Sequence, residues 1–243
     1  MNTSIENRQN PSPPYIDKKR FAWLFSVVGP AVSLVGTVAV SGFGVSSWIL
    51  FFPLVFYYFF VPFLDFLIGE DTSNPPESAI EALEDDAYYR WITYATIPIL
   101  WIAVIFNCIF LCTSSLTTLE WLATVISTGS VLGFGLNVSH ELGHKLQTLP
   151  RKIALFNTAL GAYGHFSIEH NRGHHRHVST PEDPASSKMG ENIYQFACRE
   201  MPGAALRAWR LEADRLLRQN KSVWHFENEI LQALCLTALV YGS

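Results

Sequence analysis

Residues 116–145 read LTTLEWLATVISTGSVLGFGLNVSHELGHK. The first part, from Leu116 to Val138, is apolar and long enough to cross a hydrocarbon core of about 30 Å, which takes roughly 20 helical residues. The last part contains H-E-x-x-H, the signature of a zinc protease helix, in which Glu141 would serve as general base. On a helix His140 and His144 point from one face a turn apart, so both can grip one small site. A membrane helix therefore leads straight into a metal-binding pattern, and the flanking sequence must say which metal it serves.

Three more runs match the first in length and apolarity: Phe21 to Gly44, Val45 to Ile68, and Trp91 to Cys112. A fifth starts near Ile230 and meets the end of the chain after about 14 residues, too few to span. The composition agrees, with 49% hydrophobic and only 16% charged residues. This excludes an ordinary soluble domain, and a net charge of −4 gives no footprint for nucleic acid. The expected fold is all-α, a polytopic membrane helical bundle of four full spans plus the start of a fifth, with a histidine-rich cap.

Orientation follows from the positive residues. Lys18-Lys19-Arg20 before the first span, and Lys145, Arg151 and Lys152 after the fourth, place the N-terminus and the histidines on the cytoplasmic side of the inner membrane. The first run is too long, and its polar lead too extended, for a cleaved signal peptide. Residues 1–16 are polar and proline-bearing and read as a disordered tail; residues 17–243 read as one membrane domain. Glu77 to Tyr89 is an amphipathic surface stretch. Residues 149–167 suggest a surface or re-entrant helix, and a polar cap with helix around 190–219 follows. Four cysteines without CxxC spacing read as packed thiols.

Seven of the eight histidines fall between positions 140 and 177. After H-E-L-G-H comes Glu169-His170-Asn171-Arg172-Gly173-His174-His175, in which His170 and His174 repeat the four-residue spacing while His175 is offset by about 100°. Five histidines in two boxes exceed the needs of a zinc protease, whose site takes two helical histidines, one further ligand and a water. Imidazole suits zinc, copper, iron and nickel alike, so ligand type does not name the metal, but the number of ligands argues for two ions.

As a set, H-E-L-G-H-K, Gly164-His165-Phe166, E-H-N-R-G-H-H, Thr180-Pro181-Glu182-Asp183-Pro184 and Arg199-Glu200-Met201-Pro202-Gly203 resemble the integral-membrane alkane monooxygenases of the AlkB type. The resemblance implies a non-haem diiron enzyme that hydroxylates the terminal methyl of n-alkanes with O₂. Its electrons come from rubredoxin, through a rubredoxin reductase fed by NAD(P)H. It assigns His140, His144, His170, His174 and His175 to iron. Glu141, His165, Glu169 and Asp183 become candidates to support those ligands, a carboxylate orienting a ring through its second nitrogen. Tyr57, by its place before Pro62-x-Leu64-Asp65, aligns with the gate for chain length, and Asp65 ends its helix on the histidine side. Arg199, Arg207, Arg210, Arg215 and Arg218 make a basic face suited to acidic rubredoxin or to anionic lipid. The family's third box, HxxHH, and its Asn-Tyr-x-Glu-His segment are not in these residues. The expectation is thus an N-terminal fragment with an incomplete metal site. A xylene or alkyl-aromatic monooxygenase, a fatty-acid desaturase or hydroxylase, an intramembrane zinc protease and a non-catalytic membrane protein are the alternatives.

Overall fold

The computed structural model describes residues 15–72 and 74–242. The expected tail over 1–16 lies, but for its last two residues, outside them. Among the described residues the regular structure is all helical. Four helices are long and apolar enough to cross a membrane: α1 (Arg20–Phe43), α2 (Ser47–Ile68), α4 (Ala87–Thr113) and α5 (Thr118–His144). The protein is an integral membrane protein. Between the pairs lies the short amphipathic α3 (Glu77–Asp85).

Local chemistry sets the helix ends. Gly44 takes the left-handed conformation at φ 63°, which frees its N–H and that of Val45 to bond back to Val40 and Ala39 and turns α1 into α2. Glu120, an ionisable group near the end of a span, closes a capping box: its carboxylate accepts from the Thr117 N–H at 2.8 Å. The bundle interior is sparse in charge and rich in small contacts. A Cβ on Gly36 would stand 2.9 Å from the Ile49 carbonyl oxygen, so α1 and α2 touch through that glycine. Thr37 donates to Asn107 Oδ1 at 2.8 Å, joining α1 to α4 through a buried hydrogen bond. Leu100, Ala103, Val104, Val131, Ala154 and Leu160 form the main core. The outer faces stay apolar and open, as at Trp48 and Phe66, which suits contact with lipid.

The span in the quoted stretch does not stop at Val138. It continues as one helix through His144, because apolarity ends at the polar residues while backbone helicity does not. The helix that follows is the short α6 (Thr148–Leu160). It doubles back beside α5: Asn157 donates to Gly135 O at 2.8 Å and to Ser139 Oγ at 2.9 Å. Its Phe156 stacks on Trp101, near the middle of α4, at 4.1 Å. Thirteen residues reach about 20 Å at 1.5 Å each, short of a crossing. The carbonyls at its far end, which no helical donor can satisfy, accept from Thr237 and Tyr241 of α9 (Glu229–Tyr241) at 2.7 and 2.6 Å.

Three abutting pieces, Phe166–Glu169, His170–His174 and His175–His177, make up α7. The long α8 (Ile193–Arg218) lies across it. Gly164 leads into α7 pressed against Ala233 of α9. All four cysteines are unpaired, but Cys112, Cys198 and Cys235 are exposed rather than packed.

Candidate metal centre

The last two turns of α5 carry His140 and His144, whose Nε2 atoms lie 3.1 Å apart. His170 on α7 brings its Nε2 to 3.3 Å from that of His144. His175 brings its own to 3.0 Å from that of His170. Nitrogen donors of His140, His144 and His170 all lie within 4.8 Å of one another. A metal–imidazole distance of about 2.0–2.1 Å sets adjacent donors roughly 3.0 Å apart in octahedral and roughly 3.3 Å apart in tetrahedral geometry. The observed spacings fall in that range, so the donor set fits a divalent transition ion such as iron.

The second box is not the helical repeat of the first. His170–His174 is a π-helical turn, a widening often found at functional sites. It advances the register by one residue, so His175, not His174, meets His170. His174 turns instead to Asp183, Nδ1 to Oδ2 at 2.8 Å, while its ring stacks on His170 at 5.4 Å between centroids. Asp183 is buried and also accepts from Ser186 Oγ at 2.5 Å and the Ala185 N–H at 3.1 Å. Burial alone would raise its pKa, but the hydrogen bonds from Ser186, His174 and Ala185 outweigh it and hold the carboxyl below its usual range. Burial, with neighbouring imidazoles adding to it, pushes His170 down to about 4, so it is neutral at pH 7 and able to donate its lone pair.

The other expected supporting residues are placed differently. Glu141 is exposed on the outside of α5 and pairs with Lys145 at 2.9 Å, so it neither faces the cluster as a base nor orients a ring. Glu169 is buried but pairs with Arg207 at 3.5 Å instead of with a histidine. Burial raises its pKa, and Arg207 partly offsets this. His165 rests on Tyr163 at 4.5 Å, with burial lowering its pKa. Tyr57 sits in a π-turn of α2, donates to Gly29 O at 2.7 Å and leans on Phe134. Asp65 is exposed and is not drawn to the cluster.

Nor do the cap arginines form one open basic face. Arg199 pairs with Glu191 at 2.7 Å, Arg207 with Asp183 at 3.3 Å, and Arg215 with Glu212 at 2.7 Å. Sequence reasoning missed these carboxylate partners, and it missed Arg172, which binds Glu212 at 2.8 Å and ties the second box to α8. The available signal was Arg172, a cation set between His170 and His174.

Two hollows flank the centre. One is apolar, about 280 Å³, and lined by Leu100, Val131, Leu136, Leu160, Tyr163 and Met201 among others. Leu136 precedes His140 by four residues, so that wall lies one turn from the cluster. The other is polar, about 560 Å³, and reaches His144, Lys145, Arg151, Lys152 and Arg172.

The sequence pattern of the fatty acid desaturase family matches residues 117–242, which hold both histidine boxes and the helices that join them. The chain belongs to the fatty acid desaturase family. Its similar relatives include alkane 1-monooxygenase 1 of Alcanivorax borkumensis, 48% identical over 94% of this chain and 56% of that protein. Alkane 1-monooxygenases of Pseudomonas putida and Ectopseudomonas oleovorans are each 46% identical over 95% of the chain and 57% of their own length. This family member therefore spans a little more than half the length of the curated relatives it matches. Family membership and the outward Glu141 together set aside the zinc protease reading of H-E-x-x-H.

Proposed function

We propose that this chain carries the metal-binding core of a non-haem diiron monooxygenase that hydroxylates the terminal methyl of n-alkanes. The observation that carries the reading is the cluster of His140, His144 and His170, with His175 Nε2 3.0 Å from that of His170, one helical turn from an apolar cavity. Neutral imidazoles are the donors iron needs, and the bound metal would supply the activation of O₂. The protein's part is placement. Asp183 fixes His174 by its Nδ1 hydrogen, so that ring can offer only Nε2. The apolar cavity has no charged side chain in its lining, which matches an alkane, a substrate with no polar handle. Each methylene held there adds about 0.8 kcal/mol of burial.

Tyr57 would act on chain length through Phe134, which flanks the cavity residues Gly133 and Gly135 on α5. Electrons would come from rubredoxin, rubredoxin reductase and NAD(P)H on the cytoplasmic face of the inner membrane, the side that Lys18-Lys19-Arg20 favours. Of the cap arginines, Arg210 and Arg218 are exposed and suited to an acidic partner. The names of the relatives support the alkane reading.

The test is to join this chain in frame to the remaining portion of a curated relative. Membranes holding the fusion are then given octane, O₂, rubredoxin, its reductase and NADH. Formation of 1-octanol that disappears with His170→Ala is the expected result. A fusion that assembles in the membrane, binds iron and leaves octane untouched refutes the substrate class.

A further inference from the structure

Arg207, on α8, is not a ligand candidate, yet more of the second histidine box converges on it than on any ring. Its Nη2 donates to Gly173 O at 2.7 Å, inside the π-turn, and meets His177 Nδ1 at 2.6 Å. Its Nη1 donates to Glu182 O at 3.0 Å and to Asp183 Oδ1 at 3.3 Å, and pairs with Glu169. Gly173 makes the approach possible: a Cβ there would stand 2.8 Å from Glu169 Oε1 and 3.0 Å from Arg207 Nε. One planar fork thus holds the π-turn, the Thr180–Asp183 turn and a buried carboxylate in a single arrangement. A lysine, with one nitrogen, has no matching geometry.

We propose that Arg207 is the positioning residue of the second box. By holding Asp183 and the Gly173 carbonyl in place, it fixes the ring nitrogen that His174 offers and the register that pairs His170 with His175. A carboxylate only accepts, so Asp183 keeps the hydrogen on His174 Nδ1 and leaves Nε2 as the donor atom. The inference rests on reading the cluster as a metal centre, but its primary readout does not need metal.

The experiment uses the 243-residue chain, labelled with ¹⁵N-histidine in detergent micelles, with the His174 resonances assigned by His174→Gln. At neutral pH the parent shows His174 protonated at Nδ1. In Arg207→Gln and Arg207→Lys the ring becomes a mixture of tautomers, while His225, far along the chain, keeps its shifts. Gly173→Ala, which displaces the fork without removing it, gives the same mixture and covers the case in which Arg207→Gln does not fold. Cobalt(II) titration of the same samples should weaken by about 10–100-fold in the variants, the usual cost of losing a ligand's support. A His174 tautomer unchanged in all three variants overturns the proposal, as does full restoration by lysine. A shifted tautomer in a chain that binds no cobalt upholds the positioning role, and iron content of the fusion protein then decides the metal-centre reading separately: no iron in an assembled fusion refutes that reading.

Discussion

Glu212 offers the most direct test of the way the cap is held to the histidine helix. Its side chain is fully buried, with 0% exposed, and takes four donors: Arg172 Nη1 at 2.8 Å, Arg215 Nε at 2.9 Å, Arg215 Nη2 at 2.7 Å and the Glu229 N–H at 2.9 Å. Glu212→Gln keeps the shape and removes the charge. One amide oxygen can still serve the two donors on its side, but the new NH₂ faces two N–H donors and accepts neither. Two hydrogen bonds to a charged acceptor are then lost, each about 1.5–3 kcal/mol. Arg172 and Arg215 keep 30% and 25% of their side chains in water, which returns part of the loss. The net cost is about 3 kcal/mol, near the low end for breaking a buried ion pair. Glu227, paired with Lys221 at 38% and 31% exposure, is the control, and Glu227→Gln should cost at most about 1 kcal/mol. Equilibrium unfolding in mixed micelles, followed by helical circular dichroism, measures both. A Glu212→Gln chain within about 1 kcal/mol of the parent, or a Glu227→Gln chain destabilised as much, would refute the reasoning from burial.

Two further outcomes follow from the packing and the charge state. Gly164→Ala would drive a Cβ into that of Ala233; forcing α9 away should cost about 1–3 kcal/mol, and adding Ala233→Gly should recover most of it in the same unfolding assay. His170 has a folded pKa near 4 against an ordinary 6.5, so between those values the unfolded chain binds a proton that the folded chain refuses. Stability should therefore fall as pH drops from about 6.5 towards 4, and His170→Asn should lessen that fall; a His170 resonance titrating near 6.5 would contradict the burial that causes it.

The histidine region shows how far the one-dimensional pattern reaches. The i, i+4 pair His140 and His144 was legible because both rings belong to one regular helix. The second box has the same spacing on paper and a different geometry in space, because its backbone makes a π-turn, whose Gly173 carbonyl accepts from Arg207, and that turn brings His175 forward. Glu141 looked like a catalytic base from its place between two ligands. Two positions four apart share a face, however, and the residue just after the first does not, so it points outward to Lys145. Asp183 could pass for a loop carboxylate until the fold buried it against His174.

The sequence by itself determined the membrane-spanning helices, since crossing a hydrocarbon layer requires length and apolarity that can be counted residue by residue. It also determined the concentration of imidazoles at one end of α5. Tertiary structure alone decided that α6 turns back beside α5, that Arg207 pairs with the buried Asp183, and that His170 joins the first pair. Those outcomes depend on contacts between segments 18 or more residues apart, as between Ser139 and Asn157, Asp183 and Arg207, or His144 and His170. The backbone period fixes neighbours within a turn, and only packing fixes neighbours across the chain.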